Sequence, residues 1–174
     1  MNRMLLIVDM QNDFIDGTLG TKEAVNILPA ALDKIKNFDG EIFYTKDTHK
    51  QNYMSTAEGK NLPVQHCLKG TDGWRLNPDV EKLCIDKKAT GIEKETFGSS
   101  MLPEIINKRY PGGVDEIEII GICTDICVIS NALLLKAFFP EVNIIVDSSC
   151  CAGVTPESHN NALEAMKMCQ ITVI

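Results

Sequence analysis

The feature that most constrains the fold is a series of short apolar runs in which polar residues do not alternate with apolar ones. Residues 4–8 and 117–120 form two such runs, a pattern typical of strands that are buried on both faces. Strands of this kind occur mainly in parallel sheets, because crossover helices cover both faces there. The sequence predicts strands at residues 4–8, 41–45, 89–92, 116–122, 142–146 and 171–174.

Segments with apolar residues at helical spacing separate the predicted strands. Residues 24–35, 100–110 and 129–139 show this spacing, and a last helix opens at Thr155 with Pro156 at its first position. Strands and helices therefore alternate along the chain. We expect an α/β fold with three α/β/α layers, in which helices cover both faces of a mostly parallel, doubly wound, Rossmann-like sheet.

Length and composition favour one domain. The chain has 174 residues, of which 44% are hydrophobic and 24% are charged. This is enough for one well-buried core and short for two. No repeat, low-complexity tract or linker interrupts the sequence, so we expect a single domain that spans residues 1–174.

The charge and the cysteine content exclude several classes of protein. The formal net charge is −7 and no run of Lys or Arg occurs, which argues against nucleic acid or an anionic membrane as a partner. The apolar run before Asp9 is too short for a signal peptide or a membrane span, so we expect a cytoplasmic protein. Seven cysteines, an odd number, predict reduced thiols.

Cys127 lies where a predicted strand gives way to a predicted helix, in the stretch Gly121-Ile-Cys-Thr-Asp-Ile-Cys-Val128. Free N–H groups and the helix dipole favour a thiolate at a helix N-terminus, so Cys127 can have a depressed pKa and act as a nucleophile. Thr124 or Asp125 would cap the helix. The alternative is that Cys127 is a small buried hydrophobic residue.

Asp9 and Lys94 also lie at predicted strand ends. In a doubly wound sheet these ends border one crevice, where Asp9, Lys94 and Cys127 can serve as proton acceptor, charge stabiliser and nucleophile. An isolated carboxylate after five apolar residues is costly to bury unless it is paired, so Asp9 has no simple structural explanation. Lys94 alone can equally be a surface lysine.

A second cluster contains two of the three histidines in the chain. Asp47 and His49 follow the second strand, and His66 lies in the long polar loop at residues 47–78, which also contains Glu58. Two imidazoles and a carboxylate form a common ligand set for zinc, manganese or iron. An Asp-x-His pair also arises by chance, so the spacing alone leaves metal binding open.

Taken together, these motifs resemble the isochorismatase-like cysteine hydrolases and, among them, most closely the nicotinamidases. The resemblance covers essentially the whole chain. Its motifs are Ile7-Val-Asp-Met-Gln-Asn-Asp-Phe14, Lys94-Glu-Thr-Phe-Gly-Ser99 and Gly121-Ile-Cys-Thr-Asp-Ile-Cys-Val128. It implies that Asp9, Lys94 and Cys127 form a catalytic triad. It also implies that Asp47, His49 and His66 hold a divalent metal, with Glu58 as an additional ligand.

The resemblance implies hydrolysis of nicotinamide to nicotinate and ammonia through a cysteine thioester, with the metal orienting the pyridine ring. The N–H groups of Cys123 and Cys127 would form the oxyanion hole, and the Ile122–Cys123 peptide would be cis. Phe14 and Leu62 would line the ring pocket, although Leu62 stands where many nicotinamidases have an aromatic residue.

Two other functions remain open from the sequence. The first is a metal-independent isochorismatase-like hydrolase that acts on another small amide or on isochorismate. The second is a redox protein, but Cys123 and Cys127 do not have the Cys-x-x-Cys spacing of thioredoxin-like sites. The expected partner is a small-molecule amide, and the sequence leaves open whether the chain forms a homo-oligomer.

Overall fold

The structure is a computed structural model and describes all residues from 1 to 174. It contains six strands, seven α-helices, one 3-10 turn at Tyr53–Ser55 and one π-helical turn at Thr124–Val128. The strands are β1 (Arg3–Val8), β2 (Glu41–Asp47), β3 (Thr90–Lys94), β4 (Glu116–Ile122), β5 (Asn143–Ala152) and β6 (Thr172–Val173). The helices are α1 (Asn12–Ile15), α2 (Lys22–Asn37), α3 (Ala57–Asn61), α4 (Pro78–Asp86), α5 (Leu102–Arg109), α6 (Ile129–Phe138) and α7 (Pro156–Met168).

The six strands form one sheet in the order β3-β2-β1-β4-β5-β6. Every neighbouring pair is parallel. This is the order of a doubly wound sheet, whose two halves diverge between β1 and β4. The predicted three-layer α/β fold is confirmed.

Strand β1 shows why the apolar runs predict a sheet that is covered on both faces. Met4, Leu6 and Val8 belong to one buried cluster, which includes apolar residues of α5, α6 and α7. Leu5 and Ile7 belong to a second cluster, which includes residues of α2 and α4. Because successive side chains of a strand point to opposite faces, an unbroken apolar run is needed to fill both clusters.

The close approach of β4 to β1 depends on Gly121. Its φ angle is 125°, and a Cβ atom at this position would lie 2.1 Å from the carbonyl oxygen of Val8. Only glycine fits without moving the strands. This contact lies directly before Asp9 and shortly before Cys127, so it fixes the spacing between the two strand ends.

Strand β5 is longer than predicted. It was expected to end at Asp147, but it continues to Ala152. The extension pairs Cys151 with Gly121 after a register shift, in which β5 advances from Val146 to Cys151 while β4 advances only from Ile119 to Gly121. Pairing with a neighbouring strand therefore outweighs the weak strand preference of Ser148 and its neighbours.

The polar segment at residues 47–78 contains more structure than its composition suggests. It includes the 3-10 turn at Tyr53–Ser55 and helix α3, whose first turn is capped by Thr56 through a hydrogen bond from the N–H of Gly59 at 3.0 Å. All seven cysteines are free thiols in the structure. No helix is both long and apolar enough to cross a bilayer.

Candidate active site

Four predicted site residues lie at the carboxyl ends of adjacent strands. Asp9 follows β1, Asp47 and Lys94 are the last residues of β2 and β3, and Cys127 lies in the turn after β4. Doubly wound sheets bind ligands beyond the carboxyl ends of their strands, near the point where the strand order diverges. The topology therefore brings together residues that are far apart in the sequence.

Lys94 joins Asp9 to Cys127. Its Nζ lies 2.6 Å from Oδ2 of Asp9 and 3.5 Å from Sγ of Cys127. Asp9 is fully buried, and Lys94 and Cys127 are each 4% exposed. A lysine buried to this extent needs a partner charge, which Asp9 supplies. The structure thus excludes the interpretation of Lys94 as a surface lysine.

Asp9 is held in an unusual environment. Oγ1 of Thr45 donates to Oδ1 of Asp9 at 2.7 Å, and the N–H of Asp9 donates to the same hydroxyl oxygen at 3.3 Å. The φ angle of Asp9 is 47°, in the left-handed region that non-glycine residues seldom adopt. Burial raises the pKa of Asp9 above its ordinary value, although Lys94 opposes this shift. A raised pKa makes this carboxylate a better proton acceptor.

The surroundings of Cys127 disfavour the thiolate form of its side chain. Burial, and then the charge of Asp9, raises the pKa of Cys127 well above its ordinary value of 9.0. The expected depressed pKa is therefore wrong, because the cost of burying a thiolate near a carboxylate exceeds the gain from the helix terminus. Burial disfavours the charge on Lys94, but the neighbouring carboxylates, Asp9 first and then Asp47, outweigh this effect and raise the pKa of Lys94.

The helix that carries Cys127 begins with the π-helical turn at Thr124–Val128. Neither Thr124 nor Asp125 is the N-cap, contrary to the prediction, because the cap position is Cys123, whose side chain makes no capping hydrogen bond. Oγ1 of Thr124 instead lies 2.8 Å from Nδ1 of His159 in α7. Asp125 accepts from a backbone N–H just before α7 at 3.1 Å. Both side chains therefore connect the turn to α7.

The backbone of Cys123 presents a free donor beside the nucleophile. The Ile122–Cys123 peptide is cis, as the resemblance implies. The carbonyl oxygen of Cys123 accepts from the N–H groups of Ile126 at 3.1 Å and Val128 at 3.0 Å, whereas the N–H of Cys123 donates to no acceptor within the protein. A free N–H in this position can receive an oxyanion that forms next to Cys127.

The four predicted metal ligands form one compact cluster. Ligand atoms of Asp47, His49, Glu58 and His66 all lie within 4.8 Å of one another. Oδ2 of Asp47 is 2.8 Å from Nε2 of His49 and 3.5 Å from Nε2 of His66. Oε1 of Glu58 is 3.6 Å from both imidazole nitrogens. The structure thus brings Glu58 to the same point as the other three.

The donor atoms of this cluster fit a divalent cation. Nδ1 of His66 lies 2.8 Å from the carbonyl oxygen of Val64, so Nδ1 carries the proton and Nε2 offers its lone pair to the cluster. Nε2 of His49 is buried and makes no hydrogen bond, because its contact with Asp47 lacks hydrogen-bond geometry. A buried nitrogen without a partner is unfavourable. Coordination of zinc, manganese or iron would satisfy it.

Aromatic rings surround the cluster. The ring of Phe14 lies 5.5 Å from that of His66, as expected for a residue of the pocket. Tyr53 was not predicted as a site residue, but its ring lies 4.6 Å from His49 and 5.1 Å from His66. Its hydroxyl donates to the carbonyl oxygen of Leu62 at 2.9 Å. Tyr53 therefore supports the two imidazoles and the pocket wall at Leu62.

One cavity reaches both the Cys127 thiol and the cluster of metal ligands. It has a volume of about 890 Å³, and its wall includes the four clustered ligands, Cys123 and Cys127, and both predicted ring contacts, Phe14 and Leu62. Asp9 and Lys94 do not line it. A molecule in the cavity therefore meets the thiol of Cys127 directly, while Asp9 and Lys94 act from behind.

Gln11 is a second residue whose importance the sequence did not indicate. Its side chain is fully buried and brackets the backbone of Asp47: Oε1 accepts from the N–H of Asp47 at 2.7 Å and Nε2 donates to its carbonyl oxygen at 2.8 Å. Nε2 also donates to the carbonyl oxygen of Trp74 at 2.9 Å. Gln11 therefore fixes the position of Asp47. Its place two residues after Asp9 was the only available signal.

Asn131 connects the nucleophile to the loop that follows Lys94. It is fully buried, and Nδ2 donates to the carbonyl oxygens of Cys127 at 2.8 Å and Phe97 at 3.3 Å, while Oδ1 accepts from the N–H of Ser99 at 2.9 Å. Its spacing of four residues from Cys127 places both on one side of the helix. The signal available in the sequence was an asparagine in a mostly apolar helix, four residues after Cys127.

Comparisons with known proteins identify the family of this chain. A family model, that of the isochorismatase domain, matches residues 3–174. The nicotinamidase/pyrazinamidase of Mycobacterium tuberculosis is 27% identical over 187 residues, which cover 99% of this chain and 98% of that protein. The pyrazinamidase/nicotinamidase of Streptococcus mutans superimposes with a TM-score of 0.84 at 28% identity, covering 99% of this chain and all of that one. The pyrazinamidase of Pyrococcus horikoshii, solved in complex with zinc, gives a TM-score of 0.81 at 27% identity, with 100% and 99% covered.

The family match spans nearly the whole chain, and the similar proteins align with it over almost their full lengths. The six-stranded parallel sheet is consistent with this fold. The chain belongs to the isochorismatase family.

Proposed function

We propose that this protein hydrolyses nicotinamide to nicotinate and ammonia through a thioester at Cys127. The observation that carries this proposal is the position of Lys94 between the Cys127 thiol and the cluster of metal ligands. Its Nζ lies 3.5 Å from Sγ of Cys127 and 3.6 Å from Oδ1 of Asp47, so a thiol and a cluster of metal ligands face one cavity at close range. A small aromatic amide with a ring nitrogen can engage both.

The names of the similar proteins support the same substrate. The relative from Mycobacterium tuberculosis is a nicotinamidase/pyrazinamidase, and the structure from Pyrococcus horikoshii is a pyrazinamidase with zinc. Asp47, His49, His66 and Glu58 would hold the cation here, zinc first and manganese or iron as alternatives. When bound, the cation supplies a coordination position for the pyridine nitrogen and so fixes the orientation of the ring.

The first half of the reaction forms the thioester. Asp9 accepts the proton of the Cys127 thiol, and the sulfur attacks the amide carbonyl. Lys94 holds Asp9 in place and stabilises the negative charge as it moves to sulfur. The N–H groups of Cys123 and Cys127 receive the oxyanion, a contact whose loss typically costs about 3 kcal/mol of transition-state stabilisation. Asp9 then gives its proton to the leaving nitrogen, and ammonia departs.

The second half regenerates the thiol. Asp9, ionised again, accepts a proton from a water molecule, and the resulting hydroxide attacks the thioester carbonyl. The carbon–sulfur bond breaks, the proton on Asp9 returns to the sulfur of Cys127, and the product leaves as nicotinic acid, which releases its proton to solvent and becomes nicotinate. One carboxyl group thus serves both halves, which suits a carboxylate with a raised pKa.

Ammonia release from nicotinamide tests the proposal. We expect release by the purified protein, loss of activity after treatment with a chelator, and recovery after zinc or manganese is added. Cys127→Ala should abolish turnover while it retains bound metal and a normal thermal transition. Cys169→Ala removes an exposed thiol and provides the matched control.

The outcomes separate the proposed reaction from the metal-independent alternative. Activity that survives complete removal of metal, or turnover of another small amide or isochorismate without turnover of nicotinamide, would contradict the proposal and favour the alternative. Near-normal activity of Cys127→Ala would exclude the thioester route altogether.

A further inference from the structure

Asp13 is a buried carboxylate to which neither the triad nor the metal cluster gives a role. It lies in the motif Ile7-Val-Asp-Met-Gln-Asn-Asp-Phe14 and is only 9% exposed. It does not line the cavity and is not one of the four clustered ligands. A carboxylate is costly to bury unless its oxygens are hydrogen-bonded or paired, so the partners of Asp13 indicate what it does.

The carboxylate of Asp13 holds the backbone N–H of Cys67. Oδ2 accepts from this N–H at 2.8 Å, and Oδ1 accepts from Oγ1 of Thr18 at 3.1 Å. The N–H of Cys67 belongs to the peptide that joins Cys67 to His66, so the contact fixes the backbone directly after this predicted ligand. The ring of His66 is held separately, because its Nδ1 donates to the carbonyl oxygen of Val64 at 2.8 Å.

Cys67 also holds the second histidine of the cluster. Its carbonyl oxygen accepts from the N–H of His49 at 2.9 Å. Cys67 is fully buried, and its φ angle of 46° lies in the left-handed region. A residue other than glycine keeps such a conformation only where its surroundings hold it. The backbone of one residue therefore links Asp13 to both histidines, His66 through the shared peptide and His49 through a hydrogen bond.

The loop at Gly73 closes over the carboxylate of Asp13. The N–H of Asp13 donates to the carbonyl oxygen of Gly73 at 3.0 Å. A Cβ atom at Gly73 would lie 2.2 Å from Oδ2 of Asp13, the oxygen that holds Cys67. Alanine at this position would therefore displace that oxygen while Asp13 and the predicted ligands themselves stay unchanged.

We propose that Asp13 is a positioning residue of the metal site. Through the backbone of Cys67, it holds His49 and His66 in the arrangement that binds a divalent cation. Residues that orient the ligands of a metal raise its affinity without touching the ion. This inference deepens the proposed function and rests on it, because it concerns the same ligands.

The metal affinity of the full chain tests the inference. Competition with a chromogenic chelator measures the affinity for Zn²⁺ and Co²⁺, and the visible absorption spectrum of the Co²⁺ form reports the coordination geometry. We expect Asp13→Ala to bind either ion about 10–100-fold more weakly than wild type and to have an altered Co²⁺ spectrum. Asp16→Ala, which removes an exposed carboxylate from the same segment, is the matched control and should match wild type.

Asp13→Asn separates the hydrogen bond from the charge. Its amide oxygen can still accept from the N–H of Cys67, and its amide nitrogen can donate to Oγ1 of Thr18. This variant should therefore bind metal about fivefold or more tightly than Asp13→Ala, which has no acceptor. Equal affinities of the two variants would mean that Asp13 acts through its charge, and the inference would be overturned.

Gly73→Ala displaces the carboxylate and keeps its charge. It should weaken metal binding by about tenfold, whereas Gly112→Ala, whose Cβ atom would meet no other atom within 4 Å, should have no effect. Thermal transitions show which variants are folded. If folded Asp13→Ala and Gly73→Ala both bind metal as tightly as wild type, the inference is overturned and the proposed function stands. If wild type itself binds no divalent metal, the proposed function fails and the inference fails with it.

Discussion

Nζ of Lys94 lies 2.6 Å from Oδ2 of Asp9, and this ion pair is almost completely shielded from solvent. The same ammonium approaches Sγ of Cys127 at 3.5 Å and Oδ1 of Asp47 at 3.6 Å. Lys94 is thus the one cation of the protein in contact with the thiol and with two buried carboxylates. Without it, the fully buried carboxylate of Asp9 would have no partner charge.

Replacement of Lys94 by methionine should lower kcat/KM for nicotinamide by about 10³-fold, within the range of about 10²–10⁴ typical of acid–base groups. Loss of the ammonium removes the opposition to the raised pKa of Asp9, so Asp9 becomes protonated and cannot accept the thiol proton. Steady-state kinetics on the folded variant measure the effect. Lys108→Met, which removes a surface lysine paired with Glu104, is the control. A Lys94→Met variant with more than a tenth of the wild-type rate would contradict this role.

Alkylation of Cys127 should be slow near neutral pH in the absence of substrate. Burial and Asp9 raise the pKa of this thiol well above 9.0, so little thiolate is present to react with iodoacetamide. The rate should increase with pH through a midpoint above 9.0. Cys169 is exposed and serves as an internal reference, and peptide mass spectrometry follows both thiols. Faster labelling of Cys127 than of Cys169 at pH 7 would show that the resting thiol is ionised.

Gln11→Leu should weaken metal binding by about 10–100-fold, the effect typical of residues that support metal ligands. Both hydrogen bonds that bracket the backbone of Asp47 are lost in this variant. Competition with a chromogenic chelator measures the affinity. Asn12→Leu is the matched control, because the Asn12 side chain donates only to the backbone of Asp72 on the surface. Equal affinities of the two variants would mean that Gln11 does not position Asp47.

Lys34 should contribute to stability through a charge network far from the active site. Its Nζ lies 2.6 Å from Glu118 and 2.9 Å from Asp147, whose carboxylates are almost buried. Lys34→Met should therefore lower the free energy of unfolding by about 3 kcal/mol at neutral pH, because Asp147 loses its cationic partner and Glu118 keeps only Arg3, at 3.7 Å. Urea denaturation measures this change. If the free energy of unfolding decreases no more in Lys34→Met than in Lys108→Met, Lys34 does not stabilise the protein through these carboxylates.

The pH dependence of this network has a definite sign. Burial opposes ionisation of Asp147, but hydrogen bonds from Ser149 and Lys34 outweigh it and lower the pKa of Asp147 below 3.8. Its contribution to stability is present above the pKa of the unfolded chain and is lost as the pH falls through the lower folded value. The stability of wild type should therefore decrease more steeply in acid than that of Asp147→Asn. Parallel acid profiles for the two proteins would exclude this contribution.

Most of the fold and the central residues of the site could be predicted because their signals are local. An apolar run predicts a strand, and the polar residue at its end predicts a place on the carboxyl edge. Asp9 and Asp47 are of this kind, and the parallel topology then brings them together with Lys94. Residue types left metal binding open and the family resemblance implied it, and the structure places ligand atoms of all four residues within 4.8 Å of one another.

The features that could not be predicted depend on distant partners. Gln11 binds the backbone of a residue 36 positions away, and Asn131 binds one 32 positions away, so the local sequence does not reveal the partner of either. The raised pKa of Cys127 was also hidden, because it depends on burial and on Asp9 rather than on the start of the helix. The extension of β5 to Ala152 likewise requires its neighbour, since pairing with β4 supplies the strand conformation.

The most direct test of the account is to detect the acyl-enzyme. The metal-loaded protein is mixed with excess nicotinamide, quenched in acid within the first turnovers, digested and examined by mass spectrometry. We predict a nicotinoyl group on the peptide that contains Cys127, and none in Asp9→Asn, which cannot accept the thiol proton. Steady release of ammonia with no adduct on Cys127, or with the adduct on another residue, would contradict the thioester mechanism.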